Sequence, residues 1–318
     1  MKSKRNKYIL LTTICIFSIV LLQILTPTPS PLTKEINLIP NGKALLENPF
    51  TPFLLMFFCV YLLVIVIGLA NLIFFITKKL TKKIFLTIQE KPTELPLPEE
   101  KSSKLLLLIC LFVLIIYIAE ISIAKLLTPS PKMSLINLTI FLNLALEITV
   151  ITTILKFINP SFLIPHIKKI YLPTLLQVYT VMLPLIIGAG LINYFLLEKF
   201  GINPSLNPAI EILLLLKSKF SVLLIISQVI VVGPIAEELF FRGFIYKLLR
   251  TRYSFAPSAI LVSIIFALIH GTPQDTLPLF IISMILCYVY EKTQNILSPI
   301  ILHSIHNCPF PLFYRIIS

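Results

Sequence analysis

Charge is the first thing this sequence has little of. Charged residues make up 13% of its 318 positions, about half the ~25% of an ordinary soluble domain. With 57% hydrophobic residues and a mean hydropathy of +0.96, that shortage excludes a water-soluble globule of normal make-up and points to a chain solvated by lipid. Cysteine is scarce too. The five cysteines (Cys15, Cys59, Cys110, Cys287, Cys308) all fall inside apolar runs without a C-x-x-C pair, which excludes a disulfide framework and gives no support to a thiolate metal site. The sequence also lacks H-E-x-x-H, the zinc pattern of one helix face. It has no internal repeat, no low-complexity tract and no loop long enough to hold a soluble domain.

What it does have is apolar runs near the roughly 20 residues that cross a hydrocarbon core. Clear ones lie at Tyr8–Thr26, Thr51–Thr77, Leu105–Ala124, Leu135–Leu155 and Leu172–Leu197. Ser221–Leu249, Thr276–Tyr290 and Leu297–Ile317 are further candidates, and Pro257–His270 is short enough to be a helix buried among others. The expected fold is all-α, a polytopic transmembrane helical bundle of 8–9 spans.

Basic residues outnumber acidic ones 27 to 14, a net charge of +13. Their positions decide what that excess means. With the amino terminus inside and nine alternating spans, lysine and arginine concentrate in inner segments, notably KSKRNK and the Lys78–Lys104 connector. This is the positive-inside asymmetry of a membrane protein, so nucleic acid is not an expected partner. The expected location is a bacterial cytoplasmic (inner) membrane with a cytoplasmic amino terminus. The first span reads as an uncleaved anchor, because its 19-residue run is longer than a leader's apolar region and TPTPSP follows it.

Two regions differ in character. Residues 1–170 form an N-terminal transmembrane region without recognised motifs. Its Glu120 and Glu147 lie in apolar runs, where a packing contact or a snorkelling end is the expected role. Residues 171–318 concentrate the unusual polar groups: Glu237, Glu238, Arg242, His270, His303, His306 and Asn307.

The stretch PIAEELFFRGFIY places three ionisable groups in apolar surroundings, a costly arrangement unless they are paired or needed. On a helix, Glu238 and Arg242 share a face at i, i+4 and pair. Glu237 lies one step round without a dedicated local partner, which suits a general base. FALIH puts Phe266 and His270 at the same spacing on another helix. HSIHN does so for His303 and Asn307, an imidazole and a carboxamide that can aim donors at a developing oxyanion. His306 borders that face as a competitor. Counted at 1.5 Å per residue, Glu237, His303 and His270 lie roughly 18, 9 and 20 Å from the inner ends of their helices. Tilt, with unwinding at Gly233-Pro234, is expected to close the spread.

These three stretches resemble the ordered motifs E-E-x-x-x-R, F-x-x-x-H and H-x-x-x-N/D of the CPBP (Abi) family of intramembrane proteases, which includes type II CAAX prenyl proteases and bacteriocin-processing proteins. The resemblance covers about residues 171–318. It implies hydrolysis of peptide bonds in membrane-associated proteins or peptides. Glu237 would activate water, assisted by His270. His303 and Asn307 would hold the oxyanion, while Glu238, Arg242 and Phe266 would support the site. Where the family often has F-x-x-G-x-x-x-G, this chain reads FIISMILC, with Ser283 and Cys287 for the glycines and slightly wider helix packing expected. Glu237, His270 and His303 could also hold zinc or another divalent metal with one position open to water; we favour the metal-free route. Two other classes use the same residues: an ion- or proton-coupled transporter, which would predict inverted repeats, and a catalytically inactive membrane scaffold or immunity protein.

Overall fold

The computed structural model describes residues 51–77, 133–158, 172–202, 207–270 and 272–309, with isolated positions elsewhere. The expected spans Tyr8–Thr26 and Leu105–Ala124, the Pro27–Pro49 and Lys78–Lys104 connectors and Glu120 lie, isolated positions aside, outside the described residues. Among the described residues every regular element is helical and there is no strand. The helices are α1 (Thr51–Thr77), α2 (Met133–Phe157), α3 (Leu172–Lys199), α4 (Pro208–Leu215), α5 (Lys219–Arg250), α6 (Phe255–Ile269), α7 (Thr276–Thr293) and α8 (Leu297–Asn307).

Four described stretches are long and apolar enough to cross a membrane: Ile136–Phe157, Leu172–Lys199, Lys219–Arg250 and Pro273–Thr293. Their outward faces fit that environment. Phe195, Phe220 and Leu223 are 63%, 63% and 65% exposed, an arrangement water would penalise and acyl chains would cover.

Local chemistry marks the helix ends. Asn207 Oδ1 accepts from the Ala209 amide at 3.0 Å, and Pro208 fills the first turn of α4, where its missing N–H costs nothing. Gln294 closes α7 in the left-handed region at φ 49°, its amide donating to Tyr290 O. Asn295 Oδ1 then accepts from Leu297 N at 3.0 Å and starts α8.

The core is built on helical spacing. Ala259, Val262 and Phe266 of α6 meet Ile282, Leu286 and Val289 of α7, and none of the six is more than 3% exposed. Ile154 of α2 and Ile158 just past its end enter the same cluster, and Leu302 enters it from α8. The α1–α3 crossing is close. A Cβ on Gly68 would stand 1.9 Å from the Thr180 carbonyl oxygen, so only glycine fits there. A smaller cluster of Ile136, Ile140, Leu213, Leu216, Val222 and Ile225 joins α2 and α4 to the start of α5.

Candidate active site

The site begins with an irregularity in α5. Two wide π-helical turns, Gln228–Val232 and Leu239–Tyr246, flank the α-helical Gly233–Glu238. The expected unwinding at Gly233-Pro234 is replaced by widening, and proline supplies the reason. The Gly233 amide bonds to Gln228 O, five residues back. In that register the next donor to Val229 O would be residue 234, and proline has no N–H. Asn307 of α8 fills the gap, its Nδ2 donating to Val229 O at 3.0 Å. Such turns are rare and recur at functional positions.

One turn on, Glu238 and Arg242 are wholly buried and joined at 2.9 Å. Arg242 Nη2 donates to the carbonyl of Ser283 at 3.0 Å and to its hydroxyl at 2.8 Å. Its guanidinium carbon sits 5.0 Å from the centroid of the Phe266 ring. The glycine-to-serine departure noted in the sequence therefore provides the arginine with a second polar partner on α7. Ser283 and Cys287 are both fully buried. Glu238 Oε1 also receives His303 Nδ1 at 2.9 Å, so a single carboxylate oxygen holds an arginine on its own helix and a histidine on α8.

His270 is held in a parallel way. Its Nδ1 lies 2.7 Å from Phe266 O, one turn back, and its ring packs 4.5 Å from the Phe266 ring. A carbonyl or carboxylate oxygen only accepts, so Nδ1 is the donor in both histidines, and the tautomer this selects carries its lone pair at Nε2. Both tips meet Glu237. Its Oε2 is 3.9 Å from His270 Nε2 and 3.9 Å from His303 Nε2. That oxygen is buried without a hydrogen-bond partner among the described residues. The Glu237 and His270 side chains nevertheless keep 32% and 28% of their exposure, so the cluster opens on one side.

Glu237, His270 and His303 thus converge from three helices, with Glu238, Arg242 and Phe266 behind them. Asn307 is attached to Val229 rather than to this cluster. His306 packs edge-on to Tyr179, with ring centroids 6.4 Å apart. Two groups near the site had no motif to mark them. Glu147 of α2 accepts from Gln228 Nε2 at 3.1 Å, on the wide turn that precedes Glu237. The signal for Glu147 was an acid deep in an apolar run; what hid it was that its partner is 81 residues away.

A divalent cation is a second way to occupy such a cluster. The donor chemistry suits it: a carboxylate oxygen and two imidazole lone pairs, each ring fixed through its other nitrogen. The spacing does not. The 3.9 Å edges exceed the ~3.4 Å between ligands of tetrahedral zinc, and among the described residues no three His, Cys, Asp or Glu are spaced to hold a metal ion.

Comparison with known proteins places these motifs. Residues 219–309 match the family model of type II CAAX prenyl endopeptidase Rce1-like proteins. An Escherichia coli protein named "Uncharacterized 24.3 kDa protein" is 28% identical over 159 residues, 48% of this chain and 73% of its own. A Bacillus subtilis (strain 168) protein named "Putative membrane peptidase YdiL" is 29% identical over 119 residues, 37% of this chain and 46% of its own. The Lactococcus lactis UPF0177 protein YxdF is 34% identical over 75 residues, 23% of this chain and 41% of its own. This chain thus spans less than half the length of the last two. No solved structure matches the chain significantly. The matched segment, residues 219–309, carries all three motifs, and the chain is similar there to the Rce1-like type II CAAX prenyl endopeptidases.

Proposed function

We propose that this protein is an intramembrane endopeptidase that hydrolyses peptide bonds of membrane-associated proteins or peptides. The observation that carries the reading is Glu237 Oε2 at 3.9 Å from two imidazole nitrogens. A water hydrogen-bonded at about 2.8 Å to the carboxylate and to one ring spans such a gap with roughly a right angle at its oxygen.

Glu237 takes the proton of that water as it attacks the scissile carbonyl, and His270 orients the water through Nε2. The oxyanion falls to His303. With Nδ1 donating to Glu238, His303 has a proton to offer at Nε2 only as an imidazolium, whose charge faces the Glu238 carboxylate at 2.9 Å. One amide hydrogen of Asn307 is committed to Val229; its second is the one left for the oxyanion. Arg242 neutralises Glu238, and Phe266 backs both histidines.

The site belongs in the inner half of the bilayer, with the connector after α5 facing the cytoplasm. Single cysteines placed at Thr251 or Arg252, in a background without the native five, should resist an impermeant thiol reagent in intact cells. Ready labelling there would reverse the orientation.

The function itself is tested in cells carrying the native protein or Glu237→Ala, by comparing peptide termini in their membrane fractions. A set of cleaved membrane-protein termini present only with the native protein is expected. Identical sets, with both proteins folded and equally abundant, would overturn the peptidase reading in favour of a transporter or an inactive scaffold.

A further inference from the structure

The wide turn Gln228–Val232 stands directly before the helical segment that carries Glu237, and two other helices grip it at adjacent residues. On one side Asn307 of α8 donates to Val229 O at 3.0 Å. On the other, Gln228 donates its Nε2 hydrogen to Glu147 Oε1 of α2 at 3.1 Å. The motif residues account for the first contact. Nothing in the motifs accounts for the second.

Gly233 links Glu147 to the base. Residues 233 and 237 share a helix face at i, i+4. A Cβ on Gly233 would stand 3.4 Å from Glu147 Oε1 and 2.9 Å from Gln228 O. The missing side chain therefore lets the carboxylate lie against the backbone of the turn, on the face that carries Glu237. Glu147 Oε2 is buried there without a hydrogen-bond partner among the described residues. An acid at such depth in an apolar helix is costly to keep, and the one side-chain hydrogen bond it accepts here, from Gln228, is to the wide turn.

We infer that Glu147 is a positioning residue for Glu237, acting through Gln228 to hold the wide turn in register against α2. The turn has lost one backbone bond to proline and replaced it with a side chain, so its conformation is set from outside the helix. With Asn307 alone the turn is fixed at one point and can pivot. With Glu147 as well it is fixed at two points, and the direction of Glu237 toward His270 and His303 follows. The inference rests on the peptidase reading only for its kinetic arm.

The test compares the full-length protein with Glu147→Ala, Glu147→Gln, Gln228→Leu and the double exchange Glu147→Gln/Gln228→Glu, in detergent and in lipid vesicles. The first readout is deuterium uptake by the amides of residues 228–237, which needs no turnover. The second is kcat and KM on a membrane peptide cleaved by the native protein. Loss of one buried hydrogen bond corresponds to about tenfold in an equilibrium or a rate. Glu147→Ala and Gln228→Leu should raise uptake across 228–237 about tenfold and lower kcat about tenfold, with KM within twofold. Glu147→Gln keeps the acceptor oxygen and should stay within about threefold. The double exchange, which reverses donor and acceptor, should recover both readouts.

Unchanged uptake in Glu147→Ala would overturn the inference. So would a Glu147→Gln defect equal to that of Glu147→Ala, because charge rather than the hydrogen bond would then matter. Failure of the double exchange, in a protein that melts like the native one, would overturn it as well. If Glu147→Ala does not fold, Gln228→Leu and the double exchange decide alone. A native protein that cleaves nothing would sink the peptidase reading while leaving the uptake result to stand or fall by itself.

Discussion

His303 Nδ1 and Arg242 Nη1 share one oxygen, Oε1 of Glu238, each at 2.9 Å. Glu238 is therefore the junction of the candidate site, and its neighbour Glu237 is the group left open to chemistry. Removing each has a different expected effect.

Glu238→Ala strands a fully buried arginine and frees His303, so it should destabilise the protein by about 3–5 kcal/mol. Glu237→Ala should abolish cleavage with little change in stability, because its Oε2 makes no hydrogen bond among the described residues. Thermal melts in detergent provide the ranking, and the opposite order would exchange the two assignments.

Ser283→Ala removes the hydroxyl that Arg242 Nη2 reaches at 2.8 Å but keeps the carbonyl at 3.0 Å. The expected loss is about 1.5–3 kcal/mol, the range for a hydrogen bond to a charged group. A melt unchanged from the native protein would mean that Arg242 is satisfied by Glu238, the carbonyl and the Phe266 ring alone.

His303→Ala separates the two electrophiles. As an oxyanion donor its loss should lower turnover by roughly 10²–10³ and leave measurable cleavage. Extensive chelation should then leave the native enzyme unaffected. Stoichiometric zinc in the purified protein, lost in His303→Ala together with all activity, would replace the metal-free reading with a metal-bound one.

Glu291→Ala probes stability away from the site. Glu291 of α7 receives Arg250 at 2.9 Å and the Tyr246 hydroxyl at 2.7 Å, both from α5. Its loss should cost about 3 kcal/mol and lower the melting temperature while kcat at a permissive temperature stays near native. A selective loss of kcat would tie this contact to the chemistry.

What could be read in advance followed from the range of each interaction. Glu238 with Arg242, and Phe266 with His270, are one helical turn apart, so local spacing brings them together. The run Leu172–Leu197 is observed as Leu172–Lys199, and Leu135–Leu155 as Met133–Phe157, because apolar length defines a span before any packing does. The short α4 went unseen because its signal is a single Asn-Pro cap inside a connector. Glu147 and Gln228 needed tertiary structure: neither belongs to a periodic pattern, and each gains meaning from a partner on another helix. Asn307 shares its helix with His303 as the spacing implied, but its bond to Val229 depends on a missing proline N–H in α5.

The wide turn at Gln228–Val232 has a consequence for residue counting. A π-helical turn holds one residue more than the α-helical turn it replaces. Deleting one residue between 228 and 232 would leave E-E-x-x-x-R intact and let the turn close as ordinary α-helix, with the two ends of α5 keeping nearly the same phase. What the deletion would remove is the widening that leaves the Val229 carbonyl to Asn307. The tie between α5 and α8 thus depends on one extra residue, which a motif pattern does not record.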